Sequence, residues 1–212
     1  MTDIEGSGAY EEIIYEIEGP VATITMNRPD KLNALTDLTQ AEIRHALDIS
    51  ERTREVVGTV ITGAGRGFCS GVDMGALGDM SKAGSLQKQS HDHLAAEPGN
   101  PDNDPNFKSS PTYFLGLRKP LIAAVNGVCA GLGFSYATFC DMRFVDKKAR
   151  FITSFGPRGL IAEHGTSWMF PRLGGPSNAL DVLWSSRKMD AEEAFRIGYA
   201  NRICEAGDSA IE

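Results

Sequence analysis

Two runs near the start of the chain alternate apolar and polar side chains in the manner of strands: IIYEIEG, from Ile13 to Gly19, and VATITMN, from Val21 to Asn27, joined across Gly19 and Pro20. Thr36 or Asp37 then opens a helix whose apolar positions Leu38, Ala41, Ile43, Leu47 and Ile49 follow a buried stripe only approximately. VGTVITG, Val57 to Gly63, is rich in β-branched residues with no interior proline, which suits a strand covered on both faces. Strand, strand, helix, strand predicts an α/β layer architecture.

The periodicity then breaks. From 75 to 111 short helical stretches give way to a polar run interrupted by Pro98, Pro101 and Pro105, which predicts a mobile insertion: a lid over a long ligand, or a solvent-facing loop. Order returns with LIAAVNG, Leu121 to Gly127, a further buried strand. VCAGLGFSYATFC joins small residues to an apolar helix, and DMRFV supplies the next strand. Thr166 to Phe170 reads as helix, and Ser177 or Asn178 as the start of the helix ALDVLW. Asp190 followed by Glu193 predicts a capping box for AEEAFRIG, with Gly198 ending that helix.

Composition narrows this picture. A chain of 212 residues with 42% hydrophobic and 23% charged residues is expected to form one globular domain. A formal net charge of -7 argues against a continuous nucleic-acid surface. Cys69, Cys129, Cys140 and Cys204 lack CxxC spacing, and His91 with His93 is too sparse a set for a metal, so a reduced compartment and no structural metal are expected. The acidic, polar amino terminus has no secretory pattern and no apolar run reaches membrane-spanning length, so a cytoplasmic protein with no membrane partner is expected.

The candidate chemistry lies in two glycine-rich segments, GAGRGFCSGVDM at Gly63 to Met74 and NGVCAGLGFSY at Asn126 to Tyr136. Neither is a dinucleotide fingerprint, since no suitably placed second-strand carboxylate accompanies them. With NRPDKLNAL at Asn27 to Leu35 and the segment ARFITSFGPRGLIAEHGTSWMFPRLGG, they resemble the enoyl-CoA hydratase/isomerase family, or crotonase superfamily, over nearly all of residues 10 to 203. The resemblance implies a spiral core of repeated strand-strand-helix units in a single domain, a trimer or dimer of trimers, and a carboxy-terminal helical region shortened relative to the family. It also implies an acyl-CoA substrate, with CoA part of the thioester rather than a prosthetic group.

Matching the motifs residue by residue assigns main-chain N–H donors for a thioester oxygen to Val72 and Leu132, with Gly71 permitting the close turn and Asp73 holding it or capping a helix after it. Lys31 falls where relatives meet the nucleotide end of CoA, and Ala34 beside the adenine or pantetheine path; Arg28 and Arg66 are further cations available to phosphate. The two glutamates that activate water in the family's hydratases correspond here to Ser135 and Phe155, neither of which replaces a general base. Glu163 instead matches the acidic residue of dienoyl-CoA isomerases and related enzymes, with His164 beside it. The expected reaction is double-bond isomerisation of an unsaturated acyl-CoA through an enolate, with Glu163 as acid and base. Hydration of a 2-enoyl-CoA and noncatalytic acyl-CoA binding are the alternatives.

Overall fold

The computed structural model describes residues 10–73, 75 and 91–205. Strands β1 (Ile13–Glu18) and β2 (Val21–Met26) pair antiparallel, with Gly19 at φ +57 taking the left-handed position of the turn that a side chain would disfavour. Parallel to β2 run β3 (Gly58–Gly63), β5 (Leu121–Val125), β7 (Met142–Asp146) and β10 (Arg202–Cys204), giving a six-stranded sheet in the order β1-β2-β3-β5-β7-β10. A second, four-stranded sheet contains β4 (Gly67–Cys69), β6 (Val128–Ala130), β8 (Arg150–Ile152) and β9 (Met189–Asp190). Each of β3, β5 and β7 leads directly to its short partner β4, β6 or β8, so the chain winds as a spiral between two sheets. This is the α/β arrangement of repeated strand and helix units expected from the sequence.

Helix α1 (Asp37–Arg52) begins at Thr36, whose hydroxyl accepts the Thr39 N–H at 3.0 Å while the Thr39 hydroxyl accepts the Thr36 N–H at 3.2 Å. Its apolar stripe is irregular because the buried face also carries carboxylates that other segments use. Glu42 accepts the N–H groups of Glu11 and Glu12 at 2.7 and 3.0 Å, and Glu51 accepts those of Arg118 and Lys119 at 3.2 and 3.0 Å.

Helix α2 (Leu132–Phe139) is buried along its whole length. Beyond its carboxy-terminal end Arg143, only 2% exposed, donates to the carbonyls of Ala137 and Cys140 at 3.2 and 2.6 Å, a cation matched to the negative end of the helix. Behind α2, Phe134 stacks on Tyr199 at 5.2 Å and meets Phe170 edge-on at 5.2 Å, which fixes α2 against the rest of the core. The remaining helices are α3 (Thr166–Gly174), α4 (Pro176–Ser185) and α5 (Ala191–Arg196).

Two local expectations change. Helix α4 starts from Gly175, with Pro176 at its first position, rather than at Ser177 or Asn178. The segment before α2 contains the separate strand β6, which three residues are too few to announce by periodicity. Of the expected insertion at 75–111, residues 76–90 lie outside the described residues; the rest includes the 3₁₀ turns Asp92–Leu94 and Pro105–Phe107. No helix among the described residues is long and apolar enough to cross a membrane.

Candidate active site

The register of the small sheet explains how distant segments meet. Strands β4 and β6 run parallel with Cys69 opposite Cys129, and β6 and β8 run parallel with Ala130 opposite Ile152. Three chain exits therefore leave one edge side by side, at residues 70–72, 131–132 and 153–155.

Glycine allows the first two exits to touch. Gly71 has φ +105, and a methyl group on it would lie 3.1 Å from the Ala130 carbonyl oxygen and 3.4 Å from the Leu132 nitrogen. Gly133 packs closer still: a methyl there would come within 2.5 Å of the Cys69 carbonyl oxygen and 2.8 Å of its Sγ. The Cys69 thiol, pushed up to about 12 by burial, stays protonated and accepts the Gly71 N–H at 3.4 Å. It is a packing group rather than a nucleophile, and burial likewise raises Cys129 and Cys140.

Val72 is held from the opposite side by Leu35. The Leu35 N–H donates to the Gly71 carbonyl at 2.7 Å and the Asp73 N–H to the Leu35 carbonyl at 2.9 Å, forming an isolated parallel bridge between Leu35 and Val72. The N–H of Val72 itself points away from that bridge and has no acceptor among the described residues. The same holds for the N–H of Leu132, the first residue of α2, where a helix leaves its opening donors unpaired. Two open main-chain donors thus sit on touching loops, with the positive end of α2 behind one of them.

The predicted binding residues fall around this pair unevenly. Lys31 is exposed, and its carbonyl accepts the Ser70 hydroxyl at 3.2 Å, which places its segment at the lip of the Gly71 turn. Ala34 is buried beneath that lip. Asp73 accepts the Gly75 N–H at 2.9 Å, on the chain beyond the Gly71 turn. Arg28 is not a free cation for phosphate: it pairs with Glu12 at 3.1 Å and with Asp73 at 2.9 Å. Arg66 remains exposed.

The segments that carry Ser135, Phe155 and Glu163 are built differently. Ser135, fully buried one turn into α2, hydrogen-bonds the Thr166 hydroxyl at 2.8 Å, and Phe155 is buried at the third exit. Glu163 lies on the turn that enters α3, where its carbonyl accepts the Thr166 N–H at 3.0 Å and so ties it to Ser135 through Thr166. Its carboxylate is 41% exposed and stands 3.8 Å from His164 Nε2. The turn is firmly seated, since a methyl on Gly165 would lie 2.7 Å from the Phe139 ring. Beside it runs an apolar cleft of about 580 Å³ lined by Phe155, Leu160, Ile161, Ala162, Leu183 and Trp184. A larger cavity of about 650 Å³ along α1 is lined by Asp37, Arg44, His91, Glu97 and Lys108 and by none of the residues predicted for the chemistry. Among the described residues no group of three or more His, Cys, Asp or Glu side chains is placed to hold a metal ion.

Residue-type reasoning singled out the glycines and Glu163 but missed Leu35 and Cys69, which fix the Val72 turn through main-chain and packing contacts. NRPDKLNAL carried Leu35 in plain view, yet nothing in an apolar side chain announces that its backbone will pair across to another loop.

A spiral of paired strands that delivers two open main-chain donors to one edge defines an α/β protein with a candidate site made of backbone. The chain belongs to the enoyl-CoA hydratase/isomerase family of the crotonase superfamily, whose model matches residues 16–209. It is 33% identical over 199 residues to "Probable enoyl-CoA hydratase EchA14" of Mycobacterium tuberculosis, covering 92% of this chain and 71% of that protein. It is 32% identical over 194 residues to the 1,2-epoxyphenylacetyl-CoA isomerase of Escherichia coli, covering 89% of this chain and 68% of that protein. Among solved structures, a probable enoyl-CoA hydratase/isomerase from Mycobacterium abscessus superposes with a TM-score of 0.78 at 28% identity, covering 96% of this chain and 73% of that one.

Proposed function

We propose that this protein isomerises the double bond of an unsaturated acyl-CoA, holding the thioester oxygen with the N–H groups of Val72 and Leu132 and moving the proton with Glu163. The observation that carries the reading is the close approach at Gly71, where a methyl would stand 3.4 Å from the Leu132 nitrogen, so that two donors without acceptors among the described residues lie on facing loops. Removal of a proton from the carbon next to a thioester is difficult because the negative charge lands on the carbonyl oxygen. A preorganised donor aimed at that oxygen is worth about 3 to 4 kcal/mol in the transition state.

Glu163 takes a proton from the carbon between the thioester carbonyl and the double bond of a 3-enoyl-CoA. The electron pair shifts into a dienolate whose oxygen accepts from Val72 and Leu132. The carboxylic acid then returns the proton two carbons farther along, and the conjugated 2-enoyl-CoA results with no net change in atoms or electrons. The apolar cleft beside Phe155 and Ala162 offers the acyl chain a lining. Lys31 at the lip is a cation available to the nucleotide end of CoA, with Ala34 beneath it.

Hydration is named for several relatives, but a buried serine bonded to threonine and a buried phenylalanine supply no carboxylate to activate water here. The test is to give purified protein a 3-enoyl-CoA and follow the rise of conjugated-thioester absorbance, and separately a 2-enoyl-CoA and follow its loss. Isomerisation abolished in Glu163→Gln supports the reading. Turnover unchanged in that variant removes Glu163 from it, and saturable thioester binding without either reaction replaces it with a binding role.

A further inference from the structure

The geometry points to Arg28 as the positioning residue that sets the aim of the Val72 donor, an inference that rests on the anion-cradle reading of Val72. Val72 owes its orientation to the bridge with Leu35, and one guanidinium grips that bridge from both sides. Its Nη1 donates to the carbonyl of Ala34, immediately before Leu35, and its Nη2 pairs with the Asp73 carboxylate, immediately after Val72, at 2.9 Å. The Arg28 main chain is anchored as well, its N–H donating to Asn33 Oδ1 at 2.9 Å. Asn33 is buried and donates onward to the carbonyls of Ala64 and Gly67 at 3.0 and 2.7 Å.

The third arm of the fork explains why the grip is rigid. Arg28 Nε pairs with Glu12 at 3.1 Å, and the other oxygen of that carboxylate takes the hydroxyls of Thr36 and Thr39 at the start of α1. The residue leading into strand β1, the start of helix α1 and both sides of the Leu35–Val72 bridge therefore converge on one planar cation. Arginine presents several donors in a fixed fork, whereas lysine presents one point charge, so lysine can satisfy one anchor but cannot bracket the bridge. Loss of the bracket lets Asp73 and the Gly71 turn move relative to Leu132. A misplacement on the order of 1 Å costs about 100-fold in rate.

The test uses Arg28→Lys and Arg28→Gln in the full chain, with a chromophoric aryl-enoyl-CoA as probe, because its absorbance moves to longer wavelength when its carbonyl oxygen is polarised. Arg118→Ala is the control: it breaks the pair with buried Glu51, far from the cradle, and so lowers stability without touching Val72. Expected are a probe shift in the unaltered protein and in Arg118→Ala, loss of most of the shift in both Arg28 variants with the probe still bound, and kcat reduced about 100-fold with KM unchanged. Should the Arg28 variants fail to fold, Asp73→Asn keeps two of the arginine's anchors and must show the same lost shift. A full shift in folded Arg28 variants, or in Asp73→Asn when they do not fold, overturns the role of Arg28 and leaves the cradle standing. No shift in the unaltered protein overturns the cradle reading itself, and the inference with it.

Discussion

The donor cradle and the Glu163 turn lie at the same end of the molecule yet are made of opposite materials. The cradle is backbone: Gly71, Val72, Gly131 and Leu132 are held by strand register, by Cys69 and by Leu35, and the two donors are main-chain N–H groups. The turn presents one partly exposed carboxylate, beside two buried positions that carry serine and phenylalanine. A backbone donor depends on side chains only through the contacts that aim it, whereas a carboxylate disappears with one substitution. On the proposed reading, such a division lets oxyanion stabilisation persist while the proton-transfer step changes, and both a hydratase and an isomerase are named among the relatives.

That contrast can be broken most severely on the side-chain half. Glu163→Gln is expected to lower isomerisation by about 10² to 10⁴-fold while thioester affinity, measured by titration calorimetry, stays within twofold. On the backbone half, Leu132→Pro deletes one donor without disturbing the helix, because proline is tolerated at the first helical position and Gly131, at φ +51, can precede it. Compared with Leu132→Ala, which controls for the side chain, kcat is expected to fall by about 10² to 10³-fold. A Leu132→Pro protein as active as Leu132→Ala would place the oxygen elsewhere.

Ser135→Glu sharpens the comparison through stability. It forces a carboxylate into a fully buried site and breaks the bond to Thr166, so urea unfolding should show a loss of about 1 to 3 kcal/mol for the unsatisfied polar groups, with no hydratase activity gained. The smallest effect belongs to the surface cluster of half-buried Arg187 and Glu193 with exposed Asp181, where hydrogen bonds to the guanidinium hold both carboxyls below their ordinary range. Their contribution is present above the ordinary carboxylate range and fades as pH falls through the depressed values. Arg187→Ala should therefore lower the melting temperature slightly at neutral pH and not at all in acid.

How much of this was legible in the sequence depends on the distance over which each feature is decided. Strand β1, strand β2, the Thr36 cap and helix α2 are local patterns, and they stand where periodicity and capping chemistry put them. The small sheet was not legible, because β4, β6 and β8 are three residues each and carry no period. Convergence of Val72 with Leu132 came from resemblance to a family, since only strand register brings those turns together. Arg28 was misjudged as a loose cation because its partners Glu12 and Asp73 come from other parts of the chain, and charge alone does not tell a solvent-facing arginine from a three-way brace.

The aromatic core has an optical consequence. Phe134, Phe151, Phe170 and Tyr199 fill it, while both tryptophans stand outside, Trp168 at 42% exposed and Trp184 at 77%. Emission excited at the indole band therefore reports on the outer faces of α3 and α4 and is nearly blind to the melting of the interior. Trp168, with the Arg172 guanidinium 3.9 Å above its ring and Phe107 at 6.1 Å, is the dye that nature has placed nearest the Glu163 turn.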